Sequence, residues 1–183
     1  MVCDEVIDSY SENNVDAYYS FDAAGEGGAQ ALTNSGAHTL CAAKFYLRYL
    51  TDNDFTFRAE LYACSGTPGV NGIPTGGALA VSDTHNGSEL TTTAQLITFD
   101  FSGDEYDLLD GGNYCIAVMV LTLTSGKLQV GMDNSSPTHS GNAVKNIGTW
   151  VSESSRDVCF YIYEAPAAKI PVFQRQYRAR RVA

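Results

Sequence analysis

The stretch FTFRAELYAC, Phe55–Cys64, sends Phe55, Phe57, Ala59, Leu61 and Ala63 to one side of an extended chain and Thr56, Arg58, Glu60 and Tyr62 to the other. Only a strand has a side-chain period of two, so this pattern demands a half-buried pleated strand. Related runs recur at Asp16–Asp22, His38–Leu50, Gly77–Asp83, Ala94–Ser102, Gly112–Thr122, Lys127–Asp133, Gly148–Glu153 and Asp157–Ala165. Segments rich in glycine, proline, serine and aspartate separate them. No window shows a capped helical period. Nine or so short strands in a chain of 183 residues predict an all-β protein, a jelly-roll-like antiparallel β-sandwich.

Three local readings accompany this. TDND, Thr51–Asp54, reads as the turn of a hairpin joining the strands on either side. DEYDLL, Asp104–Leu109, reads as one short helical turn. AAGEGGAQ, Ala23–Gln30, lacks the Lys-Ser/Thr of a phosphate loop and precedes no helix, so it reads as a flexible turn.

Charge divides the chain into an acidic segment 1–15, a sandwich domain 16–168 and a basic C-terminal arm 169–183, KIPVFQRQYRARRVA. The whole chain carries −10; the arm holds five basic residues and no acidic one, which leaves six basic against twenty-one acidic residues, or −15, in residues 1–168. A body of that sign repels nucleic acid and anionic membrane. Within the arm, Lys169, Ile170, Val172 and Phe173 form a strand-prone half, with Pro171 suited to an edge. Arg175, Tyr177, Arg178, Arg180 and Arg181 form a cationic half able to fork onto carboxylates. No apolar run reaches bilayer-spanning length. The first residues, MVCDEVIDSYSENN, have neither a basic n-region nor an apolar h-region, so no export signal and synthesis in the cytoplasm are expected.

The five cysteines, Cys3, Cys41, Cys64, Cys115 and Cys159, include no CxxC pair, and most lie in apolar runs. They read as buried reduced thiols, with a single disulfide between adjacent strands as the alternative. No metal ligand set is read from the spacing. The acidic residues Asp4, Glu5, Asp8, Glu12, Asp16 and Asp22 read as a solvated segment. A structural calcium ion there is the alternative, because calcium takes oxygen cages. His38, His85 and His139 lie apart, and no GxSxG elbow is present, so no catalytic residue is assigned. Trp150, the only tryptophan, together with Tyr106 and His139, is the candidate set for contact with a glycan, and Tyr18, Tyr19 and Tyr62 are further candidate stacking aromatics.

From about Ala29 to Ala165 an ordered series of pieces carries a resemblance: AQALTNSGAHTLCAAKFYL; FRAELYACSGTPGVNGIPTGGALAVSD; SELTTTAQLITFDFS leading into YDLLDGGNYCIAVMV; and SSPTHSGNAV before GTWVSESSRDVCFYIYEA. The series resembles a family of β-sandwich domains in bacteriophage and prophage structural proteins and in modular bacterial surface proteins. The resemblance implies a sandwich with an attachment role on a virion or cell surface, and no enzymatic mechanism. The expected function is therefore a capsid decoration protein on the virion surface, a homo-oligomer, with a trimer as the leading stoichiometry. It would contact the major capsid or other virion proteins and be anchored by the arm, with no cofactor, no membrane and no nucleic acid. The alternative is a carbohydrate-binding module or receptor-binding fibre component that recognises host glycans.

Overall fold

A computed structural model describes residues 3–165, which form two antiparallel sheets. The strands are β1 (Glu5–Tyr10), β2 (Ala17–Phe21), β3 (Gly27–Thr33), β4 (His38–Leu50), β5 (Phe55–Ser65), β6 (Ile73–Asn86), β7 (Gln95–Asp100), β8 (Tyr106–Leu108), β9 (Asn113–Leu123), β10 (Lys127–Asp133), β11 (Asn142–Asn146), β12 (Trp150–Glu153), β13 (Asp157–Val158) and β14 (Phe160–Glu164). Sheet A runs β1-β14-β4-β10-β13; β2 also pairs with β10, and β7 and β8 pair with β4. Sheet B runs β12-β11-β3-β9-β5-β6. The all-β antiparallel sandwich expected from the alternation is the architecture observed.

The inward positions of both sheets meet in one apolar core. Its centre is aromatic: Phe21, Phe45, Phe57, Phe99, Phe101 and Phe160 are each less than 2% exposed. Burying each such ring contributes roughly 1.5–3 kcal/mol before the entropy of ordering is set against it. Phe99 meets both Phe45 and Phe57 edge-on, at centroid separations of 6.0 and 5.8 Å, which carries contact from sheet A to sheet B.

Several local expectations are corrected. β4 and β5 do not form a hairpin: β4 is the hub of sheet A, and β5 lies in sheet B between β9 and β6. Thr51, with φ 75°, begins a crossing between sheets. Both strands turn their apolar faces to the shared core, a condition that alternation satisfies equally well in an arch or a hairpin. The glycine-rich segment is not wholly a turn, because β3 begins at Gly27 and is an interior strand of sheet B. A Cβ on Gly27 would stand 2.4 Å from the Val118 carbonyl oxygen and 2.5 Å from Met119 Sδ, so only glycine fits against β9. Tyr106–Leu108 is a strand on the His38 end of β4, not a helical turn.

The described part of the acidic segment, from residue 3 on, joins the sandwich. Glu5–Tyr10 pairs with β14, and Tyr10 is buried. A register shift between Val6 and Asp8 breaks the alternation that would have revealed this strand. A second irregularity corrects the thiol reading for two of the five cysteines. On β4, Ala42 pairs with Tyr163 and Leu40 with Glu164, so Cys41 is an extra residue. Leu40 and Ala43 remain in the core, whereas Cys41 and Ala42 pack together with Tyr163 outside it. There Cys41 is joined to Cys3 by a disulfide, while Cys64, Cys115 and Cys159 are free. A strict period of two would have pointed Cys41 inward.

Candidate functional site

The sequence singled out His139, Trp150 and Tyr106, and the structure places them on different elements. His139 sits in the loop between β10 and β11, with its side chain 8% exposed. Its Nδ1 accepts from the Gly141 backbone N–H at 2.9 Å and faces Gln30 Nε2 at 3.0 Å. Two donors at Nδ1 assign the ring proton to Nε2, which then donates to Asp8 at 3.1 Å. Gln30, fully buried on β3, uses every polar atom: Nε2 also donates to Asp157 at 2.8 Å, and Oε1 accepts from the Val158 N–H at 2.8 Å. Asp157 takes the His139 backbone N–H at 2.9 Å. Burial pushes its carboxyl up from the ordinary value, with Gln30 and His139 pulling the other way.

This network ties β1, the His139 loop and β13 of sheet A to β3 of sheet B. An Asp–His pair is present, but both ring nitrogens are committed to the fold, and neither faces a serine or cysteine nucleophile. The buried ring also offers no surface to a sugar. His139 is thus removed from the candidate glycan set.

Trp150 and Tyr62 meet edge-on, 5.8 Å apart, on the outer face of sheet B. Beneath them lie Ala29, Ala31, Cys115, Ala117 and Val144, all fully buried. Glu60, 6% exposed, accepts from Tyr62 Oη and from Arg58 Nε at 2.8 Å. Trp150 and Tyr62 therefore close a second apolar layer over a floor of small residues. Tyr106 packs partly buried against the main core, edge-on to Tyr114 at 6.2 Å.

A different surface, of which the sequence pointed only to Tyr18, gathers exposed chemistry. Along the outer face of sheet A, cross-strand register aligns Thr98, Lys44 and Tyr161 in one row. The next row holds Leu96, Tyr46, and then Gly131 paired with Tyr18. Arg48, Gln129 and Ser20 follow. Arg48 lies 3.9 Å from the Tyr18 ring centroid, and Lys44 Nζ lies 4.8 Å from that of Tyr163. Tyr161 and Tyr163 stack at 6.3 Å. The signal was legible as K-x-Y-x-R in KFYLR and Y-x-Y in CFYIY: polar and aromatic residues at the outward phase of two strands that prove to be neighbours.

The remaining sequence expectations fall elsewhere. The arm residues Lys169, Ile170, Val172, Phe173, Arg175, Tyr177, Arg178, Arg180 and Arg181 lie outside the described residues. Among the described residues no group of three or more His, Cys, Asp or Glu side chains is placed to hold a metal ion, and no helix is long and apolar enough to cross a membrane.

Two antiparallel sheets over a common aromatic core define the class: an all-β sandwich whose loops and outer faces carry the polar chemistry. No protein-family model and no curated protein matches the chain.

Proposed function

We propose that the chain is a non-enzymatic structural protein of a bacteriophage virion, a decoration protein on the capsid surface held to neighbouring subunits by residues 169–183. The observation that carries this reading is the charge division. A sandwich body of −15 precedes a fifteen-residue segment with five basic and no acidic groups. Opposite charges on one chain favour contact between copies. The apolar half, Lys169–Phe173, supplies a segment able to add to a sheet edge. A rigid body also suits the role, since Gln30 and its partners lock sheet to sheet with every polar atom of the amide bonded.

The test is deletion of Lys169–Ala183. The truncated chain is expected to keep its melting temperature and its β-type circular dichroism but to lose self-association in sedimentation and incorporation into particles. Neutralising Arg175, Arg178, Arg180 and Arg181 should weaken assembly mainly at moderate salt; breaking Ile170, Val172 and Phe173 should weaken it at every salt concentration. Normal assembly by the truncated chain would sink the proposal. The second reading, a carbohydrate-binding component, is favoured by one observation: the tyrosine-lined outer face of sheet A.

A further inference from the structure

Residues 3–165 contain six Lys and Arg residues. Four are in ion pairs: Arg58 with Glu60 at 2.7 Å, Lys127 with Asp22 at 2.6 Å, Lys145 with Glu153 at 2.7 Å and Arg156 with Glu153 at 2.6 Å. In so acidic a body, a cation with no carboxylate partner is the exception. Among the described residues the two that form no ion pair are Lys44 and Arg48, four positions apart on β4 and both on the outer face of sheet A, with Glu12 near enough to Lys44 to feel its charge.

Each is positioned rather than free to wander. Arg48 stacks on Tyr18, and its Nε donates to Gln129 Oε1 at 2.7 Å; Gln129 in turn donates to Ser20 Oγ at 2.6 Å. That fixes the plane of the guanidinium, and among the described residues its terminal nitrogens make no hydrogen bond. Tyr46 lies between the two cations on the same strand. Its ring occupies the space above Gly131, where a Cβ would stand 3.0 Å from Tyr46 Cδ1. Glycine at that position lets the ring lie low against the sheet and leaves it half-buried.

We propose that this face binds an acidic polysaccharide of the uronate type, one sugar ring lying on Tyr46 and its carboxylate engaging Arg48. The apolar C–H face of a pyranose packs on an aromatic ring, and a tyrosine presents such a ring at little entropic cost. A carboxylate matches the free fork of a guanidinium held by its third nitrogen. The exposed hydroxyls of Ser20 and Thr98 supply neutral partners for sugar hydroxyls. The face is also polar along β4. Asp100, paired with Ala42, and Glu12, which accepts from Tyr161 Oη at 2.6 Å, flank the far end. The acid group is thereby directed toward Arg48. The net negative charge of the body opposes the approach, but beyond about 10 Å it is screened at 0.1 M salt. This inference stands apart from the arm: a chain that failed to assemble would still present the face.

The test is affinity electrophoresis of the full chain in native gels containing polygalacturonate, alginate or dextran at 0.1 M salt. Retardation by at least one uronate polymer and none by dextran is expected. R48Q should raise the apparent Kd about 10-fold and K44Q by less. Y46A should abolish retardation, Y46F should keep it, and W150F should leave it unchanged. Unaltered melting temperatures for R48Q and Y46F separate loss of binding from loss of fold. Failure of both uronates, equal retardation by dextran, or undiminished binding by R48Q would overturn the proposal. So would a wild-type dimer that R48Q dissociates, because the face would then belong to a second copy of the chain.

Discussion

The outward positions of the two sheets obey the same alternation and end in opposite states. On sheet B they are Ala29, Ala31, Cys115, Ala117 and Val144, fully buried beneath Trp150, Tyr62 and Ile73. On sheet A they are Lys44, Tyr46, Arg48, Tyr18 and Tyr161, all half-exposed. A face floored by small apolar residues was closed by its own chain, which turned Trp150 and Ile73 of the edge strands and Tyr62 of β5 over the floor. A face built of long amphipathic residues stayed open, because tyrosine, lysine and arginine cover apolar surface with their stems while keeping their ends in water. Aromatic content alone does not separate an open face from a covered one; the size of the residues beneath the rings does.

The largest effect expected from this contrast comes from placing the same charge on each face. Ala117→Glu puts a carboxylate on the sheet B floor, paired across the strand with the buried Glu60. An unpaired buried charge beside a like charge should cost upward of about 4 kcal/mol and unfold much of the population. Thr98→Glu on the sheet A face should stay within about 0.5 kcal/mol of wild type. Urea titration of the two variants measures both. Equal destabilisation would erase the distinction between the faces.

A smaller effect separates the two aromatic groups. Trp150→Ala uncovers the small-residue floor and should cost roughly 2–4 kcal/mol, near the lower part of the range for large core residues because the ring is only partly buried. Tyr46→Ala should cost less, about 1–2 kcal/mol, since its half-buried ring covers Gly131 rather than a broad apolar floor. Denaturation midpoints followed by circular dichroism decide, and a Tyr46 effect as large as that of Trp150 would mark the sheet A face as structural too.

How far these faces were legible beforehand follows from phase. Strands β4 and β10 were bounded correctly from sequence, as Val, Leu, Phe and Tyr in alternation identify a strand wherever it pairs. Alternation does not name the partner strand, so β4 and β5 read as a hairpin although each belongs to a different sheet. It also loses count at a bulge. One extra residue at Cys41 reversed the facing of that thiol, and one irregularity between Val6 and Asp8 hid β1. β3 was invisible for another reason: glycine and alanine, which signal a turn in isolation, were selected by the close approach of β9. The sheet A face needed Lys44, Tyr46 and Arg48 to be set beside Tyr161 and Tyr18, residues far away along the chain. His139 looked like chemistry because its partners Asp8, Gln30 and Asp157 lie on three other elements.

The seam between the sheets sharpens the comparison by charge, with the smallest expected effects. Carboxylates survive there only when bonded, and two of them titrate in opposite senses. Burial pushes Glu153 up, but hydrogen bonds from Lys145, Tyr19 and Arg156 together outweigh it and hold the carboxyl below its ordinary value. Its contribution to stability is present above the unfolded value of 4.5 and is lost as pH falls through the lower, folded value. Burial raises Asp157 above 3.8, so ionising it costs stability as pH rises from 3.8 through the folded value. Glu12, held low chiefly by Tyr161, and Asp133, where burial is outweighed by backbone and Tyr10 hydrogen bonds, act in the same sense as Glu153. Stability should therefore fall between pH 6 and pH 3. Glu153→Gln should flatten that fall and Asp157→Asn should steepen it. The slope is the quantity to read, since both variants also lose hydrogen bonds at neutral pH. Urea midpoints at the two pH values suffice, and a steeper fall in Glu153→Gln would show that the groups joining the sheets do not have the charge states their geometry requires.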